Sequence, residues 1–205
     1  MSKTQIAILW GLAVVIVIVF AVLSRAVSRS SQGVGPGPLV PGRVYDVGET
    51  DQSARKLYPL ADQAARSWQA DAQLVSATAN WPFVDLDHFS EPVAWTFQFY
   101  SPGTQRIQVI NIDGDQVGVL REALSPYPLP GVAVENWQLD SHQALKAWLN
   151  DGGGRFLSRH SVVDVTARLR HSEEGQLQWV VVGAVRGEQE IQLTRVDAAS
   201  GQVVE

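Results

Sequence analysis

Two stretches of the chain carry apolar residues at spacings of three and four, the pattern of an amphipathic helix. The first stretch contains Leu57, Ala61, Ala64, Ala65, Trp68 and Ala72, and the second contains Leu145, Trp148 and Leu149. Asp140 or Ser141 is suited to cap the second helix, and the glycines of "NDGGG" at 150–154 are suited to end it. Each predicted helix therefore carries a tryptophan late on its buried face.

Segments with the pattern of β-strands follow both predicted helices. The first candidate strand after each helix is "AQLVSATAN" or "SVVDVTARLRH", respectively. The second candidate after the first helix contains the alternating Trp95, Phe97 and Phe99, and the second candidate after the other helix is the more continuously apolar "LQWVVVGAV". In the following strands, Ile112 is out of phase with Ile107 and Val109, and Val196 is out of phase with Ile191 and Leu193. This shared irregularity predicts a shared β-bulge or twist.

The chain also repeats itself. "DQAARSW" at 62–68 matches "HQALKAW" at 142–148, and "WTFQFYSPGTQRIQVINID" at 95–113 aligns without a gap on "WVVVGAVRGEQEIQLTRVD" at 179–197, with six of nineteen positions identical. We therefore predict an α+β protein of two units, each with one helix packed on its own small antiparallel sheet. The units span residues 56–124 and 139–205, and the Pro-rich segment 125–138 links them.

The amino-terminal part has a different composition. Ile6 to Leu23 contains no charged residue, and roughly 27 Å of helix would be enough to cross a hydrocarbon core. Residues 1–24 are therefore predicted to form a transmembrane anchor that contacts the lipid bilayer. A cleaved signal peptide is the alternative, since Ser24 and Ala26 are small residues near its end. The Ser-, Gly- and Pro-rich residues 25–55 are predicted to be a tether.

Charge narrows the classes of partner. Four of the 16 Lys and Arg residues lie before Val44 with no acid among them, whereas the rest of the chain carries 12 against all 21 Asp and Glu, a net charge of −9. A domain this acidic repels phosphate backbones, which excludes nucleic acid as the expected partner. The chain has no Cys, so disulfides, thiolate metal sites and Cys nucleophiles are excluded too.

A helix with a late Trp, a strand opening on Trp and the terminal "VDAASGQVV" resemble the PepSY domain family, here as a tandem pair. The first copy keeps the Trp and the Asp but has the shorter turn "NIDGDQV". The resemblance implies a cystatin-like arrangement of one helix across a small antiparallel sheet, an extracytoplasmic location at the cell membrane, and peptidase regulation or peptide binding. It supplies no catalytic residue.

The candidate polar residues each have a structural interpretation as well as a functional one. Asp113 and Asp197 occupy equivalent turns, where an Asx-type hydrogen bond that fixes the turn is favoured over a ligand contact. Asp85, Asp87 and His88 form the densest polar cluster; they are candidate ligands, and a solvated loop over Phe83 is the simpler interpretation.

The tryptophans divide into two groups. Trp68, Trp148, Trp95 and Trp179 lie in the matched repeats and are predicted to anchor the core, with helix Trp meeting strand Trp. Trp81 and Trp137 lie outside the matched segments and are predicted to be exposed, which makes them the first candidates for an aromatic recognition surface.

No nucleophile-elbow, zinc-protease or phosphate-loop motif accompanies the scattered histidines, so the chain is predicted not to be an enzyme and to need no cofactor or metal. The sequence predicts a single-pass, membrane-tethered, extracytoplasmic module that binds a protein or peptide and regulates a peptidase or another envelope process. An exposed strand edge or a groove between the units would be the binding element. An envelope assembly protein is the alternative, followed by a hydrolase built on His88 or His160.

Overall fold

The computed structural model describes residues 52–84, 92, 94–160 and 163–204. Its helices are α1 (Ala54–Trp68), α2 (Ser141–Trp148) and α3 (Gly154–Leu157), with a π-helical turn at Leu149–Gly153 and a 3₁₀ turn at Val134–Asn136. The strands are β1 (Gln73–Val84), β2 (Trp95–Ser101), β3 (Arg106–Asp113), β4 (Gln116–Leu124), β5 (Val163–His171), β6 (Leu177–Val185), β7 (Ile191–Asp197) and β8 (Val203–Val204).

All eight strands belong to one antiparallel sheet in the order β4-β3-β2-β1-β5-β6-β7-β8. The two halves join where β1 pairs with β5, from Ala77 opposite Leu169 to Trp81 opposite Val165. The predicted fold class, two cystatin-like units that each have a separate sheet, is therefore wrong. Pairing the first strand of each half removes two exposed strand edges at once, which explains why one continuous sheet is favoured.

The sequence repeat places the same pairs in both halves of this sheet. Trp95 lies opposite Ile112 in the β2–β3 pair, and Trp179 lies opposite Val196 in the β6–β7 pair. Strand order is mirrored about the β1–β5 junction as well. The matched segments therefore occupy corresponding positions on the two sides of a single sheet, and no groove separates two sheets.

The predicted shared bulge is wrong for β3 and β7. Their pairing with β2 and β6 runs without a register shift. Ile110 and Ile112 are fully buried, whereas Ile107 and Val109 occupy the other face of the same regular strand. The irregular pattern thus reflects apolar residues on both faces. The bulge lies instead in β4, where Leu120 is the extra residue between Val119 and Arg121.

The core lies between one face of the sheet and the helices. Buried side chains alternate along β5, where Val163, Val165, Ala167 and Leu169 face the core and the intervening residues do not. Neither α1 nor α2 covers the opposite side, which we call the open face. The open face on β5 consists of Asp164, Thr166, Arg168 and Arg170.

The amino termini of the two long helices meet at Asp140. Its carboxylate accepts hydrogen bonds from the backbone N–H of Ser141 (2.7 Å) at the start of α2 and of Arg55 (3.1 Å) at the start of α1. Gln143 returns a capping-box bond to the Asp140 N–H. One negative charge thus serves the positive ends of two helix dipoles and ties the halves together.

The predicted transmembrane anchor, residues 1–24, lies outside the described residues, as does the tether 25–55 except for residues 52–55. Among the helices of the described residues, none combines the length and the apolar character needed to cross a bilayer.

Candidate functional site

Trp81 and Trp137 are buried, so the prediction that they are exposed is wrong: their exposed fractions are 3% and 1%. They extend a row of aromatic rings through the core, in which Trp81 contacts Trp95 at 6.0 Å, Trp95 contacts Trp179 at 6.2 Å and Trp179 contacts Trp137 at 6.1 Å between centroids. The indole N–H groups of Trp137 and Trp179 both donate to the Leu139 carbonyl, at 2.7 and 2.9 Å. These rings are structural and do not form a recognition surface.

The prediction that the repeat tryptophans are buried in the core is confirmed for three of the four. Trp95, Trp148 and Trp179 are fully buried. Trp68 is only partly buried and donates its indole N–H to Glu122 on β4, at 3.0 Å. Trp95 of β2 and Trp179 of β6 contact each other across the β1–β5 junction, so strand Trp meets strand Trp there. That helix Trp meets strand Trp stays a prediction.

Asp85, Asp87 and His88 lie outside the described residues. The strand end before them is unusual, because Phe83 has a φ of 56° and a side chain that is 48% exposed, so it is not tucked beneath a loop. The Arg186 guanidinium lies 4.3 Å from the centre of the Phe83 ring and is bound to Asp164 at 3.0 Å. A bulky residue at positive φ is rare, and here Asp164 accepts the Phe83 N–H.

The Asp197 turn is structural, as the sequence predicted. Its carboxylate accepts hydrogen bonds from the backbone N–H of Ser200 (2.6 Å) and Ala199 (3.1 Å) and from the Ser200 hydroxyl (2.8 Å). These bonds, led by the Ser200 N–H, lower the pKa of Asp197. Asp113 makes no such bond among the described residues; Gly114, at a φ of 57°, forms that tighter turn instead.

His160, Glu188 and Glu190 come together at the end of the sheet where β6 turns into β7. Their nearest ligand atoms all lie within 4.8 Å of one another, and His160 Nε2 is 3.3 Å from Glu190. Sequence reasoning missed this cluster because thirty residues separate His160 from Glu190. Both glutamates are exposed, and the hairpin with the His160–Glu190 contact accounts for the arrangement, so we assign no metal to it.

The outer edge of β4 is free: no described strand pairs with it. Eight of its nine residues are exposed. Four of the ten large exposed apolar side chains among the described residues lie on this one strand, and they are Val117, Val119, Leu120 and Leu124. Unpaired backbone groups beside exposed apolar side chains form a template for an added strand.

The open face has a different chemistry at its centre. Arg168 and Arg170 lie two residues apart on β5, and both are exposed. Neither makes a hydrogen bond or an ion pair with any of the described residues. Burial of part of the Arg168 side chain, and then the like charge of Arg170, lower the pKa of Arg168.

Comparisons with known proteins leave the family open. No protein-family model matches the chain, and no curated protein matches it, so the resemblance to PepSY domains stays a prediction. A solved structure of a protein described as a "putative lipoprotein" from Clostridium difficile 630 is similar over 72% of this chain and 90% of that one. Its TM-score is 0.47 and its sequence is 18% identical, a likeness that assigns no function to this chain.

Proposed function

We propose that the chain is a protein- or peptide-binding module of the cell envelope, and that its partner adds a strand to the free edge of β4. The observation that carries the proposal is this exposed, apolar, nine-residue edge strand. Strand addition obtains affinity from backbone hydrogen bonds and specificity from alternate side chains. The other edge of the sheet is less open, because β8 covers Arg195 and Val196 of β7.

The position of the bulge defines the part of β4 that suits a partner. Leu120 interrupts the register, and the charged Arg121 and Glu122 follow it directly. Bulges and charges are devices that discourage edge pairing. The segment Gln116–Val119 carries no charge and pairs regularly with β3, so it is the part that a partner strand would extend.

The envelope location rests on the uncharged apolar stretch Ile6–Leu23. The PepSY resemblance supports the finer proposal that the bound partner is a peptidase or a peptide that a peptidase recognises. Without catalytic motifs in the sequence, binding is favoured over catalysis; that the chain is not an enzyme remains a prediction.

The test is partner retention from membrane extracts by the immobilised full-length chain. We expect Val117→Lys with Val119→Lys to abolish retention, because charges on an edge strand oppose pairing. The matched control is Ile191→Lys with Leu193→Lys, which places two lysines at exposed apolar positions of β7. Retention that the β4 variant leaves unchanged, or that the β7 variant abolishes equally, would contradict the proposal.

A further inference from the structure

Two positively charged side chains, Arg168 and Arg170, lie close together on a central strand of the open face, although the chain is acidic overall. Arg168 lies opposite Thr78 of β1 on one side and Val180 of β6 on the other, and Arg170 lies opposite Gln178. None of these direct cross-strand neighbours is a carboxylate. Two guanidinium groups this close on one face repel each other, and burial of part of the Arg168 side chain and then the like charge of Arg170 lower the pKa of Arg168.

Asp164, on the same strand and the same face, has a charged partner. Asp164 accepts a forked pair of bonds from Arg186, at 3.2 and 3.0 Å. Arg168 and Arg170 have no counterpart of this kind among the described residues. The acid at one end of the β5 row is thus paired, while the two bases toward the other end remain free to bind an external group.

We propose that Arg168 and Arg170 form a docking site for an acidic peptide segment in extended conformation. Side chains two residues apart on one face of a strand are separated by about 6.6 Å, in this sheet and in any extended peptide. A peptide with acidic residues at alternate positions therefore presents carboxylates at the spacing of the two arginines. Each guanidinium can bind a carboxylate through two parallel hydrogen bonds.

The surroundings favour a short acidic segment over a long polyanion. The direct cross-strand neighbours of the arginines are the neutral Thr78 and the buried Gln178 and Val180, so no second cationic residue directly across a strand extends the site. The part of the chain after residue 43 carries a net charge of −9, which repels an extended polyanion but leaves a local contact with a few carboxylates favourable. This site lies on the sheet face and is independent of the β4 edge.

The test is fluorescence anisotropy with the full-length chain in a non-ionic detergent and a fluorescein-labelled Glu-Val-Glu-Val-Glu-Val peptide. We expect saturable binding that weakens as salt is added. Arg168→Gln with Arg170→Gln should weaken it at least tenfold, and Arg168→Lys with Arg170→Lys should weaken it less, because charge is kept and the fork is lost. If the Arg168→Gln, Arg170→Gln variant does not fold, the Arg168→Lys, Arg170→Lys variant provides the test.

A matched control isolates the site. Arg155→Gln with Arg159→Gln removes the same charge from the α3 region and should leave affinity within twofold. Absence of peptide binding, equal binding by the Gln pair, or equal binding of a Gln-Val-Gln-Val-Gln-Val peptide would overturn the proposal. Tighter binding of a 20-nucleotide single-stranded DNA would overturn it too, since that result identifies a polyanion site.

Discussion

The two halves of the sheet share a sequence repeat but fill matching positions with different side chains. In the second half, the buried Trp148 ring lies against Gly183, where a methyl group would come within 2.5 Å of its Cζ2 atom. In the first half, Phe99 occupies the position that matches Gly183 and is itself fully buried, and Trp68 is only partly buried. Each half thus accommodates one large ring at this level of the core, supplied by the helix in one case and by the strand in the other.

The halves also differ at their outer edges. The first ends in β4, nine residues long and exposed, and the second ends in β8, which has two residues. The turn before β8 is fixed by the Asp197 side chain, whereas the turn before β4 has no such cap among the described residues. The longer exposed edge therefore belongs to one copy of the repeat, while the other copy has the more extensively bonded turn.

The largest expected difference between the halves concerns the two helix tryptophans. Trp148→Ala should lower the free energy of unfolding by about 3–5 kcal/mol, since it leaves a large cavity over Gly183. Trp68→Ala should lower it by only about 1 kcal/mol, because this side chain is partly exposed and loses one hydrogen bond to Glu122. Urea unfolding of the full-length variants, followed by far-UV circular dichroism, measures both; equal losses would refute the proposed exchange of rings.

A smaller effect is expected at the helix starts. Asp140→Ala should cost about 2–3 kcal/mol, because it removes the cap of α2 and leaves the Arg55 N–H of α1 without this partner. Ser53 occupies the corresponding N-cap position of α1, but its hydroxyl is buried without a hydrogen-bond partner among the described residues.

The matched control is therefore Ser53→Ala, for which we expect a change within about 0.5 kcal/mol or a small gain. The same urea titrations measure it. A Ser53→Ala loss as large as that of Asp140→Ala would show that the two helix starts contribute alike, contrary to the hydrogen bonds described.

The sequence was informative where a local pattern determines the outcome. The stripe around Leu57 and Ala61, the Asp140 cap and the Asp197 turn each depend on residues close in the chain, and all three have the predicted roles. Joining the sheet through β1 and β5 depends on contacts between residues about ninety positions apart, such as Ala77 and Leu169, which neither periodicity nor turn residues specify.

The candidate site was harder to predict for the same reason. The lack of a repeat partner predicts an exposed position for Trp81 and Trp137, but the continuous core buries both. The sequence pattern does not single out Arg168 and Arg170, because only the strand order places them centrally and without an acidic neighbour directly across. The apolar residues of β4 are a candidate binding element only because β4 lies at the edge of the sheet, a position that the sequence pattern does not specify.

The smallest expected effect distinguishes the two Asp turns and depends on pH. Asp197→Ala should cost about 0.5–2 kcal/mol at pH 7 through loss of the side-chain cap, and Asp113→Ala should cost close to nothing. The pKa of Asp197 is lowered in the folded state, so its contribution is complete above the unfolded value of about 4 and disappears as pH falls through the folded value. Urea titrations at pH 7 and pH 3 should therefore show the Asp197→Ala loss shrinking with acid. If the loss of unfolding free energy were the same at both pH values, packing and not the carboxylate would be its cause. An equal loss for Asp113→Ala would show that the two turns do not differ in this respect.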